Sequence, residues 1–140
     1  AGNQVATMWI ALDPVTNATG AVEYIKGSHK WGQRFKAVSF KDKDLYKEDL
    51  PEVPDIASNR DKYNFVQYEM KAGDCTIHHG LTLHGAPGNS SQTQKRRAYI
   101  IRWAGDDVKY DPRPNLQPML HDPGINKGDP LDCELFPVVR

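Results

Sequence analysis

Apolar positions along this chain come in short bursts separated by Gly, Pro, Asn and Asp, and none is spaced for a long amphipathic helix. Residues 5–12 read V-A-T-M-W-I-A-L and stop at Asp13-Pro14. A run this short, with β-branched and aromatic members, predicts a buried strand. Thr16-Asn17-Ala18-Thr19-Gly20 is a turn cluster, and residues 21–25 predict a second strand that leaves through Lys26-Gly27-Ser28-His29. The short polar connection predicts that the first two strands form a hairpin. Residues 65–70 alternate as F-V-Q-Y-E-M, residues 75–79 follow the turn Ala72-Gly73-Asp74, and residues 97–103 read R-A-Y-I-I-R-W. Each predicts a strand.

Residues 41–62 differ. Charge runs at Lys41-Asp42-Lys43-Asp44 and Lys47-Glu48-Asp49, with Pro51 and Pro54, predict a surface insertion holding one helical turn. From Gly105 onward Asp and Pro dominate, predicting a tail (111–140) that wraps a preformed surface of a domain spanning 1–110. Five strands with almost no helix argue an all-β sandwich or barrel.

Composition narrows the partners. Lys plus Arg equals Asp plus Glu at 18 each, so no global field draws nucleic acid or an acidic membrane. No apolar run approaches the ~20 residues of a membrane helix. Two distant cysteines, Cys75 and Cys133, fit free thiols in a reducing compartment such as the cytoplasm. Asn17-Ala18-Thr19 and Asn89-Ser90-Ser91 match the glycosylation triplet but read as turns.

The candidate chemistry is concentrated in residues 73–89, G-D-C-T-I-H-H-G-L-T-L-H-G-A-P-G-N. Imidazole is a common ligand of iron, zinc and copper. His78 and His79 are adjacent and point to opposite faces of a strand, so at most one faces an interior; His84 can re-enter it after the turn. A lone strand histidine is more often hydrogen-bonded than metal-bound, and no HExxH or CxxC is present. Arg96 and Arg97 likewise face opposite ways. A guanidinium turned inward needs a carboxylate or phosphate partner, while the simpler reading is an exposed basic strand end.

Taken in order, Met8-Trp9-Ile10-Ala11-Leu12, Thr19-Gly20, Lys26-Gly27-Ser28-His29-Lys30, Gly73-Asp74, His84-Gly85-Ala86-Pro87-Gly88-Asn89 and Arg96-Arg97-Ala98 resemble the phytanoyl-CoA dioxygenase family over about residues 4–110. The resemblance implies a double-stranded β-helix, a cupin-like jelly roll, incomplete at its start. It implies an Fe(II)/2-oxoglutarate-dependent dioxygenase acting on a small molecule, with ascorbate as an activator. His84 matches the distal iron ligand, Arg96 the clamp on the far carboxylate of 2-oxoglutarate, with Arg97 as its alternative, and Trp9 a wall of that pocket. Ala86 stands where some members carry a serine. His29 and His78 fall outside the family's ligand positions. The family's other two ligands come from an H-x-D motif that occurs nowhere in these 140 residues.

The expectation is therefore a truncated, inactive chain whose open barrel edge is covered by a homo-oligomer partner or by the Pro-rich tail. A non-catalytic cupin-like binding module and a related non-haem iron halogenase are the alternatives. The checking assay is succinate formation with Fe(II), ascorbate and 2-oxoglutarate. No turnover is expected from the 140 residues alone, with a gain in a version extended upstream; robust turnover by the 140 residues would mean the ligands are misplaced.

Overall fold

The computed structural model describes residues 1–37, 49–113 and 119–139. The charge runs of residues 41–48, together with Pro114 and Pro118, lie outside the described residues. Among the described residues the protein is all-β. Its strands are β1 (Val5–Ala11), β2 (Glu23–Ile25), β3 (Phe65–Gln67), β4 (Cys75–His79), β5 (His84–Gly85) and β6 (Ala98–Ala104), with short 3-10 segments at Ser28–Lys30 and Ala57–Lys62. The helical turn expected in the insertion is the second of these, interrupted at Asn59.

The chain divides into two compact units. The larger contains residues 6–33 and 55–103. It carries two three-stranded sheets, ordered β4-β1-β6 and β3-β2-β5. Sequence neighbours β1 and β2 therefore lie in different sheets, and the hairpin expectation fails. The backbone explains why. Beyond β1, the Ala11 N–H donates to Asp74 O (2.9 Å) and the Gly73 N–H to Ala11 O (2.8 Å), while Val15 and Met70 exchange a pair of bonds at 2.8 and 3.0 Å. The groups a hairpin would use are thus taken by residues 70–74, midway along the chain. Pro14, which has no N–H, interrupts the ladder before Val15, and the Thr16–Thr19 turn redirects the backbone. Thr19 is fully buried, and its Oγ1 accepts the Thr16 N–H at 2.8 Å.

The core of this unit is Trp9, Ala11, Val15 and Ala21, with Val22, Met70 and Ala98 packed against it. The opposite face of the β4-β1-β6 sheet is apolar and open: Ile77, paired with Met8, is 62% exposed, and Tyr99 and Trp103 of β6 are also exposed. Neither β5 nor β6 has a neighbour on its outer edge among the described residues.

The smaller unit contains residues 1–5, 34–54 and 104–140. Asp107 organises its described part: its carboxylate accepts the Asn3 N–H (2.7 Å) and the Gln4 N–H (2.9 Å), which hold its pKa below the usual range. The segment after β6 is bridged at Lys109–Pro130 and Cys133–Phe136. Cys75 and Cys133 are free thiols.

Gly20 separates two costs. Its φ is +84°, and a Cβ there would fall against the Gly88 carbonyl, 2.7 Å from the carbon. Gly27 has φ +80° with nothing within 4 Å. Gly27→Ala is expected to cost about 1–2 kcal/mol through the left-handed backbone alone. Gly20→Ala adds the steric clash, for roughly 2–4 kcal/mol. Urea denaturation midpoints check this, and equal losses would mean the backbones are not in contact.

Candidate functional site

The register of β1 with β4 puts Trp9 opposite Thr76 and Thr7 opposite His78. Alternation then places all four on one face of that sheet. In the other sheet Tyr24 of β2 is paired with His84 of β5. Tyr24 joins the two sets: its Oη lies 2.8 Å from Thr76 Oγ1, and its ring centroid lies 5.0 Å from that of His78 and 5.8 Å from that of His84. The His78 and His84 rings are 4.8 Å apart. Burial raises the Tyr24 phenol pKa, keeping it protonated and able to hydrogen-bond.

His84 has a defined tautomer. Its Nδ1 is 2.9 Å from the Thr82 carbonyl, which can only accept, so Nδ1 carries a proton and Nε2 is the nitrogen a metal would take. His78 is the reverse case of a polar group without support: its Nδ1 is buried with no hydrogen-bond partner. Burial first, then the neighbouring His84 and Arg102, lower its pKa from 6.5 to about 4.

The two arginines are divided cleanly. Arg97 is turned to the surface and held by Asp13: its backbone N–H and Nε donate to Oδ2 at 2.8 and 2.9 Å, and Nη2 donates to Oδ1 at 2.7 Å. These bonds hold the Asp13 carboxyl down at about 2. Arg96 is half-buried, with its guanidinium carbon 5.7 Å from the Trp9 ring centre. The structure thus gathers Trp9, Arg96 and His84 around Tyr24 and leaves Arg97 outside. Ala86 sits in an exposed loop. His29 and His79 form a separate ring pair 5.3 Å apart, and His78 and His79, despite leaving β4 on opposite sides, both line one cavity of about 310 Å³ at its edge. Among the described residues, no group of three or more His, Cys, Asp or Glu side chains could hold a metal ion.

Sequence reasoning missed Tyr24 and Thr76 and set His78 aside. Their proximity depends on register across two sheets, which no local pattern carries.

The model of the family described as "Phytanoyl-CoA dioxygenase (PhyH)" matches residues 1–98. The chain belongs to the phytanoyl-CoA dioxygenase family. Among its relatives, a multifunctional dioxygenase, prhA, of Penicillium brasilianum is 30% identical over 97 residues, which cover 69% of this chain and 27% of that protein. The dioxygenase FUM3 of Gibberella moniliformis is 28% identical over 86 residues, 61% of this chain and 21% of that protein. Of solved structures, the non-heme alpha-ketoglutarate-dependent carbocyclase SnoK from nogalamycin biosynthesis matches all of this chain and 50% of its own, with TM-score 0.69 and 28% identity. EvdO2 from Micromonospora carbonacea var. aurantiaca, solved with 2-oxoglutarate, matches 79% of this chain and 42% of its own, with TM-score 0.53 and 26% identity. The chain spans about a quarter of the curated relatives' length and half that of SnoK.

The His78 shift has a sign. The unfolded chain takes up this proton near pH 6.5 and the folded chain only near 4, so across that window the unfolded state binds more protons. Stability attributable to His78 is present above 6.5 and falls as the pH drops toward 4. His78→Phe is expected to flatten this limb of a stability-versus-pH curve. An unchanged limb would show that His78 is solvated.

Proposed function

We propose that this chain carries part of the active site of an Fe(II)/2-oxoglutarate-dependent dioxygenase built on a jelly roll, acting on a small organic molecule. The all-β arrangement of two three-stranded sheets supports this reading. In this reading His84 contributes one imidazole to iron, Arg96 grips the far carboxylate of 2-oxoglutarate, and Trp9 walls the pocket.

The observation that carries the reading is the division between the arginines. Asp13 occupies Arg97, while Arg96 has no carboxylate among its described contacts and sits over Trp9. A half-buried guanidinium beside an aromatic wall suits a bidentate organic carboxylate. The iron end is supported by the donor chemistry of His84, whose Nδ1–H bond to a carbonyl is the orienting contact typical of metal-bound imidazoles.

The fit to iron is partial, because the described residues form no three-donor group. His84 would therefore hold iron as one ligand only. Bound iron with 2-oxoglutarate would supply the oxidising chemistry. This chain's own residues fix the co-substrate's carboxylate through Arg96, exclude water with Trp9, and hold the His84 ring against Tyr24. The 140 residues alone are expected to be inactive.

The test is calorimetric titration of 2-oxoglutarate into this chain with and without Fe(II) under nitrogen. Arg96→Leu is expected to weaken binding by about 10- to 100-fold, as for loss of a charge-assisted pair. Arg97→Leu should leave it within about twofold. The opposite ranking moves the clamp to Arg97, and equal small effects end the carboxylate assignment.

A further inference from the structure

The cavity at the β4 edge is used by none of the assigned roles. Its apolar wall comes from three strands, as Ile25 of β2, Val66 of β3 and Ile77 of β4, with the rings of Tyr24 and Tyr68 beside them. Ile77 and Tyr68 are 62% and 53% exposed, so apolar surface is left facing water at this place. Exposed apolar surface gathered in a concave site is a mark of ligand binding. Charge is what the wall lacks. Among the described residues its lining holds no Asp or Glu, and its one ammonium, on Lys26, is exposed and stays hydrated. A cation entering the cavity would lose water without gaining a carboxylate, and an anion would find no buried guanidinium or ammonium. An ionised group taken out of water without a partner is costly, so the wall selects against both.

A neutral hydrogen bond is on offer instead. Tyr24 Oη and Thr76 Oγ1 meet at 2.8 Å, and both residues line the cavity. Two hydroxyls carry two hydrogens, and the contact between them uses one. Whichever oxygen donates, the other keeps an O–H to give, and neither side chain makes a second hydrogen bond among the described residues. The pair therefore has one donor left for an acceptor oxygen. Tyr24, Tyr68 and Thr76 also border the packing around Trp9, and the Tyr24 ring stacks on that of His84 at 5.8 Å. A ligand held by the hydroxyl pair lies beside the candidate site.

We propose that this cavity binds an uncharged organic molecule, with its apolar body along Ile25, Val66 and Ile77 and a ketone, lactone or ether oxygen accepting the spare O–H of the Tyr24–Thr76 pair. On the oxygenase reading above, on which this clause rests, that molecule is the substrate. A volume of about 310 Å³ admits a ligand of small-metabolite size.

The test uses the chain itself, without metal or 2-oxoglutarate, and four probes that share one bicyclic skeleton: 1-tetralone, tetralin, tetralin-1-carboxylate and 1-aminotetralin. The ketone is expected to bind and to shift the methyl signals of Ile25, Val66 and Ile77 in ¹H–¹³C spectra. It should bind about three- to tenfold tighter than tetralin, the range of one added hydrogen bond. The carboxylate and the ammonium should bind at least about tenfold more weakly than the ketone. Tyr24→Phe combined with Thr76→Val is expected to bring the ketone down to the level of tetralin, whose own binding persists and reports an intact cavity. If the double variant does not fold, the ranking of the four probes on the unmodified chain decides alone. A carboxylate or an amine that matches the ketone, unshifted Ile25, Val66 and Ile77 methyls, or a ketone preference that survives the double substitution would overturn the proposal. Titration of 2-oxoglutarate isolates the oxygenase reading. Its failure to bind sinks that reading and leaves a cavity for a neutral ligand, whereas failure of the ketone alone sinks the cavity proposal and leaves the oxygenase reading standing.

Discussion

The contact between Tyr24 Oη and Thr76 Oγ1, 2.8 Å long, links a strand of one sheet to a strand of the other. The candidate site depends on it. Tyr24 is 6% exposed, so its hydroxyl must find a partner or lose one to desolvation, and Thr76 on the facing strand provides it. Once that bond is made, the phenol ring lies within reach of both His78 and His84.

The histidines illustrate how backbone bonds assign chemistry. His79 and His84 flank the same short turn, and each commits its Nδ1 to the backbone there. One Nδ1 accepts and the other donates, so the backbone holds the two rings in opposite ways. His78 has no such tie and stays neutral through burial. Three imidazoles within seven residues are thus chemically distinct before any ligand arrives.

Much of the strand content was legible because the bursts are short and end at Pro or Gly: residues 5–12 and 75–79 correspond closely to β1 and β4. The two-residue β5 was not, since His84-Gly85 owes its extended form to pairing with Glu23 and Tyr24 some sixty residues away, not to its own propensity. The hairpin between the first strands was misread for the same reason: a short connection is compatible with a hairpin and with a crossing between sheets, and only the remote partners Met70 and Asp74 decide. Family strings singled out His84, Arg96 and Trp9, and alternation said that the two arginines diverge. Neither pattern named Tyr24 or Thr76, whose roles arise from a side-chain bond between sheets.

The Asp13–Arg97 pair spans 84 residues of sequence yet lies at the surface. Closing a loop of that length costs chain entropy that grows with the logarithm of its length. An exposed ion pair, screened by water and salt, offsets little of it. The pair is therefore a consequence of the strand pairing that makes β1 and β6 neighbours. Its effect is to remove an alternative: with Arg97 anchored outward, the adjacent Arg96 is left as the guanidinium beside Trp9. A contact with little weight in the free energy of folding thus decides which of two identical side chains is available to the site.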